Sequence, residues 1–95
     1  MNQKVERLLK GETFITKEHG NSMIPLIKSG QPHRLAPAKW EDVGEGEIVY
    51  CKVKGNFYTH LVKAKNDQQG CLIGNNKGGI NGWTKQIFGK VVEVL

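Results

Sequence analysis

The apolar residues of this chain come in short runs that glycine, proline or asparagine soon interrupts. Twelve of the 95 residues are glycine, and the apolar share is only 38%. Glycine weakens the interior of helices and supplies tight turns, so the sequence disfavours a long helical bundle. A chain of this length holds one domain with a modest core. We therefore expect a single, mainly β domain over residues 1–95.

Residues 47–65 contain the clearest secondary-structure pattern in the chain. The runs EIVYCKVK and FYTHLVKAK are both rich in β-branched and aromatic residues, which favour strands. The pair Gly55-Asn56 between them is typical of a tight reversal. The sequence thus predicts an antiparallel β-hairpin that turns at Gly55-Asn56.

A short N-terminal helix over residues 1–11 is predicted from an apolar face at Val5, Leu8 and Leu9, with Gly11 as its natural end. The rest of the chain, residues 14–95, is expected to form the antiparallel β core.

Within that core, residues 75–83 contain too much glycine and asparagine to predict a regular strand. Trp83 is expected to be largely buried, because large aromatic residues usually supply core area in small β domains.

Composition narrows the function classes. The formal charge is +5, from 14 basic and nine acidic residues, but the lysines are scattered, which makes a nucleic-acid-binding face the less favoured interpretation.

Cys51 and Cys71 do not have metal-ligand spacing and are interpreted as buried free thiols. No metal or cofactor is expected. Because no run approaches the ~20 apolar residues needed to span a bilayer, and residues 1–10 lack a signal-peptide core, we expect a cytoplasmic protein without membrane contacts.

Ser22 is the first candidate for chemistry. It follows Gly20, which permits a sharp bend, and it precedes Pro25, which stiffens the chain after it. A serine on such a turn can present its hydroxyl to a substrate, with adjacent backbone N–H groups as an oxyanion site. By composition alone, however, a serine in this context is usually a turn or cap residue.

A nucleophilic serine needs a base, and the chain offers His19, His33 and His60. His19 belongs to the same loop as Ser22, and His33 lies in a polar stretch. By periodicity alone His60 could equally be a hydrogen-bonded histidine within a strand.

Three segments in order resemble the LexA-like peptidases and type I signal peptidases. The first, GNSMIPLIKSGQ, resembles their nucleophile box, which reads Gly-x-Ser-Met and then has proline two residues later. The second, VGEGEIVYCKVKGNFYTHLVKA, resembles their strand pair that carries the base, and the third, IGNNKGGINGWTKQIFGKVVEV, resembles their closing segment. The matching residues are Gly20, Ser22, Met23, Pro25, Leu26, Ile27, Gly30, Gly46, Ile48, Val49, Ile87, Gly89 and Val91.

The resemblance implies a LexA/signal-peptidase-like β fold and a serine peptidase with a Ser22–His60 dyad. The base is a lysine in most of the family and a histidine in signal peptidases of the endoplasmic reticulum and archaea, and THLV around His60 is similar to the second type. Lys63 lies three residues further along the strand and points to the opposite face. By the same resemblance, Met23 and Asn75 are expected to contribute to the oxyanion site or to positioning.

The chain also departs from the family pattern. Gln31 and Glu47 stand where the family has aspartate, and Asn75 replaces the aspartate that assists the histidine. An amide orients an imidazole but does not stabilise its charge as a carboxylate does. Two alternatives therefore stay open beside a peptidase acting on a peptide or protein substrate. One is a catalytically inactive peptidase-like module that binds or regulates a protein partner, and the other is a basic β module that binds nucleic acid.

Overall fold

The protein is described here by a computed structural model that covers residues 2–95. One short helix precedes seven strands, all of which belong to one antiparallel sheet, so the mainly β prediction is confirmed. The elements are α1 Gln3–Leu9, β1 Phe14–Thr16, β2 His33–Pro37, a 3₁₀ turn Trp40–Asp42, β3 Ile48–Val53, β4 Asn56–Asn66, β5 Gly70–Gly74, β6 Ile80–Thr84 and β7 Ile87–Val94.

Helix α1 begins where the sequence can cap it. The side chain of Asn2 accepts hydrogen bonds from the backbone N–H groups of Lys4 and Val5 at 2.9 and 3.2 Å, which satisfies two donors that a helix start leaves free. The helix ends before Gly11, whose φ of 87° favours glycine. Its buried residue, Leu8, packs against the sheet.

The strands follow the order β1-β2-β7-β3-β4-β5-β6. The closing strand β7 therefore lies in the middle of the sheet, between β2 and β3, and β6 forms one edge. The main core cluster lies on β3, β4, β5 and β7, with fully buried residues such as Val49 and Ile73 at its centre. A smaller cluster of Met23, Ile27 and Leu61 joins the loop after β1 to β4.

The predicted hairpin is present, but its turn differs by one residue. Val53 on β3 pairs directly with Asn56 on β4, so the two-residue loop is Lys54-Gly55 rather than Gly55-Asn56. Both loop residues have positive φ, 51° and 85°, as a type I′ turn requires. Gly55 thus occupies the second turn position, and Asn56 already belongs to the strand.

The segment 75–83 was expected to be irregular, and its second half is instead part of strand β6. That strand pairs with β5 through a register shift next to Gly74, and Gly82 has a φ of 137° that glycine adopts readily. Trp83 is partly buried and not fully exposed, although it lies on an edge strand with a neighbour on one side only. Among residues 2–95, no helix is long and apolar enough to cross a membrane.

Candidate active site

Ser22 lies on the connection between β1 and β2, which we call the nucleophile loop, residues 18–30. The loop is closed at its base, where the N–H of Gly30 donates to the carbonyl oxygen of Glu18 at 2.7 Å. A second hydrogen bond joins the two arms of the loop, from the N–H of Gly20 to Ser29 Oγ at 3.1 Å. Gly20 has a φ of 138°, so the bend before Ser22 needs glycine.

The loop brings Ser22 to His60, as the order of the segments predicted. Ser22 Oγ lies 3.0 Å from His60 Nε2, and His60 Nδ1 lies 2.7 Å from Asn81 Oδ1. Because an amide oxygen can only accept, Nδ1 carries the proton and donates to Asn81. Nε2 then accepts a hydrogen bond from the Ser22 hydroxyl. This is the arrangement that a general base needs to remove a proton from serine.

His60 and Asn81 lie on strands that β5 separates, and a glycine lets their side chains meet across it. Gly74 on β5 pairs with the residue after His60 on one side and with the residue before Asn81 on the other. A Cβ on Gly74 would lie only 2.5 Å from the carbonyl oxygen of Gly79. A larger residue at this position would push the connection between β5 and β6 away from the site.

Asn75 or a backbone carbonyl was expected to hold the second nitrogen of His60, and in the structure the side chain of Asn81 makes that contact. The side-chain oxygen of Asn75 instead accepts from the N–H groups of Lys77 and Gly79, at 2.8 and 2.9 Å. The Asn75 side chain therefore stabilises the turn between β5 and β6. The prediction failed because residues 75–83 were interpreted as irregular, which hid the strand that places Asn81 beside His60.

Asn76 is a further residue that the sequence did not single out. Its backbone N–H donates to the carbonyl oxygen of Ser22 at 2.9 Å, and its side-chain amide donates to the carbonyl oxygen of Ile24 at 3.0 Å. Two hydrogen bonds from one residue therefore hold the turn that carries Ser22. The resemblance to the family implied a role for Asn75 but none for Asn76.

Met23 follows Ser22 directly, and its side chain belongs to the core. The side chain is buried against Ile27 and Leu61, which anchors the turn. Within residues 2–95, the backbone N–H groups of Ser22 and Met23 donate no hydrogen bond to the protein. Both remain available to an oxygen of a substrate.

A cavity of about 200 Å³ opens beside Ser22 and His60. Its apolar wall includes Met23, Ile27 and Phe57. Tyr58 also lines it and stacks on the imidazole of His60, with 5.0 Å between ring centroids. Tyr58 thus supports one face of the imidazole while Asn81 holds its edge.

Glu18 is a charged residue of this cavity that sequence reasoning missed. Its Oε1 accepts a short hydrogen bond from Thr59 Oγ1 and another from Lys4 Nζ at 3.3 Å, and it lies 3.8 Å from His33 Nε2. Burial by itself raises the pKa of Glu18. The neighbouring imidazole, hydroxyl and ammonium groups of these three residues outweigh burial and lower the pKa to about 2. Glu18 therefore carries a negative charge at the start of the nucleophile loop.

The other two histidines do not reach Ser22 as a base. His33 is fully buried on β2, where its Nδ1 contacts the carbonyl oxygen of Gln31 at 3.1 Å. His33 Nε2 has no hydrogen-bond partner among the described residues and faces the Glu18 carboxylate. His19 is exposed on the nucleophile loop.

Cys51 and Cys71 are both buried free thiols in the main core, as expected. Burial, reinforced by the neighbouring Cys71, raises the pKa of Cys51 to about 12. Neither thiol is therefore suited to act as a nucleophile. Within the described part of the chain, no group of three or more His, Cys, Asp or Glu side chains is arranged to hold a metal ion.

Comparison of the sequence with models of known protein families and with curated proteins finds no match.

Proposed function

We propose that this chain is a small serine peptidase of the LexA and signal-peptidase type. In this proposal Ser22 is the nucleophile, His60 is the general base and Asn81 orients the imidazole. The observation that carries the proposal is the continuous hydrogen-bonded chain from Ser22 Oγ through both nitrogens of His60 to Asn81 Oδ1, with distances of 3.0 and 2.7 Å. The resemblance of residues 20–30 to the Gly-x-Ser-Met-x-Pro box favours a peptide bond as the substrate.

The first half of the reaction forms an acyl-enzyme. Ser22 Oγ attacks the carbonyl carbon of the scissile bond while its proton passes to His60 Nε2. The resulting oxyanion accepts hydrogen bonds from the free N–H groups of Ser22 and Met23. His60 then gives the proton from Nε2 to the departing amine, and the C–N bond breaks.

The second half releases the product acid. Water gives one proton to His60 Nε2 and attacks the acyl carbon, and the proton then returns to Ser22 Oγ as the ester bond breaks. Throughout, Asn81 accepts from the Nδ1–H group and keeps the basic nitrogen turned toward Ser22. Its neutral amide stabilises the imidazolium only by its dipole, so we expect slower turnover than with a carboxylate in this position.

A serine-directed fluorophosphonate tests the proposal directly, because it forms a bond only with an activated serine hydroxyl. We expect one adduct per wild-type chain by intact mass and none on Ser22→Ala. Ser29→Ala is the matched control, since Ser22 and Ser29 are the only two serines in the chain. Ser29→Ala should still take one label, more slowly because Gly20 loses its hydrogen bond.

Equal labelling of wild type and Ser22→Ala, or no labelling of either across a broad pH range, would reject the peptidase. The chain would then be better described as a non-catalytic binding module with the same fold.

A further inference from the structure

The cluster around Glu18 joins four parts of the chain at one carboxylate. Glu18 itself begins the nucleophile loop, Thr59 belongs to β4, Lys4 belongs to α1 and His33 belongs to β2. Charged carboxylates are rarely kept partly buried without donors, and here both Thr59 and Lys4 donate to Glu18. The cluster is outside the chain of hydrogen bonds that transfers the proton.

The position of Thr59 gives this cluster a connection to the catalytic pair. Thr59 directly precedes His60 on β4, so the Thr59–Glu18 hydrogen bond ties the loop of the nucleophile to the strand of the base. The backbone of Glu18 also closes the nucleophile loop, through the 2.7 Å hydrogen bond from Gly30. One residue therefore holds both ends of the loop and fixes the loop to β4.

On the other side of Ser22, the loop is held by Asn76. The nucleophile thus lies between two attachments, one to the β5–β6 connection and one to β4. Loss of the Glu18 attachment would leave Ser22 on a loop that can shift relative to His60. Proton transfer is sensitive to such a shift, because the acceptor must stay within hydrogen-bond reach.

We propose that Glu18 is a positioning residue, which sets the separation between Ser22 Oγ and His60 Nε2 by fixing the nucleophile loop to Thr59. This inference rests on the proposed function, but the geometry it describes can be measured separately from catalysis. The Glu18 carboxylate does not touch the reacting atoms and acts only through the loop and β4.

The test compares Glu18→Gln with Glu12→Gln. Glu12 is a surface carboxylate that pairs with Arg7 at 2.9 Å and lies outside the cavity. For a peptide that the wild type cleaves, Glu18→Gln should lower kcat by about 10-fold or more, with KM within about twofold, and Glu12→Gln should change neither constant. A loss confined to KM, or equal values for the two variants, would overturn the proposal.

Thr59 provides a second pair of variants, Thr59→Val and Thr59→Ser, in which Glu18 itself is unchanged. Thr59→Val removes the hydroxyl donor at nearly the same volume, and Thr59→Ser keeps the donor. Glu18→Gln weakens the hydrogen bond from Thr59 by making its acceptor neutral, and Thr59→Val abolishes it. We expect Thr59→Val to lose kcat at least as much as Glu18→Gln, Thr59→Ser to retain it, and the double variant Glu18→Gln/Thr59→Val to be no slower than Thr59→Val alone. Losses that multiply in the double variant, or equal activity of the valine and serine variants, would contradict a shared attachment.

Nuclear magnetic resonance of the His60 imidazole separates failure of this proposal from failure of the peptidase. The ¹⁵N shift of Nε2 reports its hydrogen bond from Ser22 in the resting protein, whether or not any peptide is cleaved. We expect Glu18→Gln to move this shift toward that of Ser22→Ala, and Glu12→Gln to leave it unchanged. If the shift is the same in wild type and Glu18→Gln, the positioning role is rejected even if the protein is an active peptidase.

Discussion

The backbone N–H of Asn76 donates a hydrogen bond to the carbonyl oxygen of Ser22 over 2.9 Å. Asn76 stands on the connection that leads into β6, and β6 carries the Asn81 side chain that orients His60. The same short segment therefore contacts both Ser22 and His60. A change in this connection alters both ends of the Ser22–His60 contact at once.

Removal of the Asn76 side chain should slow labelling of Ser22 and lower the unfolding free energy only modestly. Asn76→Ala deletes the partly buried hydrogen bond to the carbonyl oxygen of Ile24, which contributes about 0.5–1.5 kcal/mol, and it leaves the backbone bond to Ser22. We expect a loss of unfolding free energy in that range by urea titration, together with slower fluorophosphonate labelling. Asn56→Ala, at an exposed site on β4, is the control and should change neither measurement.

Substitutions of Asn81 test how the imidazole is oriented. Asn81→Ala leaves Nδ1–H without its acceptor, and we expect labelling of Ser22 to slow by roughly 10²-fold or more, given the cost of disturbing the histidine in such triads. Asn75→Ala should retain much more activity, because Asn75 does not contact His60. Equal losses in the two variants would show that the contact does not control reactivity.

A carboxylate at position 81 should make Ser22 more reactive. Asn81→Asp replaces a neutral acceptor by a charged one, and charge-assisted hydrogen bonds are roughly twice as strong as neutral ones. We expect faster labelling than in the wild type, measured at a pH where the new carboxyl is ionised. Labelling as slow as that of Asn81→Ala would contradict the proposed role of this residue.

The pKa of Glu18 predicts a specific acid sensitivity. The folded protein lowers this pKa from 4.5 to about 2, so the folded state favours the carboxylate more than the unfolded state does. The contribution to stability is complete above about pH 4.5 and is lost as the pH falls toward 2. We expect the difference in urea midpoint between wild type and Glu18→Gln to shrink across this range. The difference between wild type and Glu12→Gln should stay small throughout, because exposed ion pairs contribute little.

Burial of the two cysteines predicts slow reaction with thiol reagents. Cys51 and Cys71 are 0% exposed, and burial raises the pKa of both thiols. We expect an aromatic disulfide reagent at pH 8 to modify the native protein at a rate that follows unfolding, and to modify the denatured protein at once. Rapid modification of native protein would show that the core opens far more easily than its packing indicates.

The parts of the fold that depend on local sequence could be predicted. The helix, the β3–β4 hairpin and the mainly β class follow from apolar spacing and strand-forming residues, which act over a few positions. The placement of β7 between β2 and β3 could not be predicted, because it depends on pairing between residues far apart in the chain. The one-residue error in the hairpin has a local cause, since Lys54, which the prediction had placed in the strand, adopts a positive φ and is the first residue of the turn.

The residues of the candidate site likewise divide into those that local sequence predicts and those that depend on packing between distant segments. Ser22 and His60 belong to segments with recognisable residue order, and the structure brings them together. Asn81 and Glu18 could not be found in this way, since their contacts arise only when β6 and the nucleophile loop pack against β4. The resemblance to the family pointed to Asn75, because Asn75 stands where the family has the aspartate that assists the histidine, whereas the structure places Asn81 against His60.

The position of β6 at the edge of the sheet has a consequence for the contact between Asn81 and His60. Edge strands open locally at a lower free energy than the whole molecule unfolds, and β6 is paired through β5 alone. Each such opening withdraws Asn81 from His60 while the interior around Val49 and Ile73 stays closed. The fraction of molecules in which Asn81 contacts His60 therefore depends on fraying of β6, and we expect this contact to be lost on warming before the whole protein unfolds.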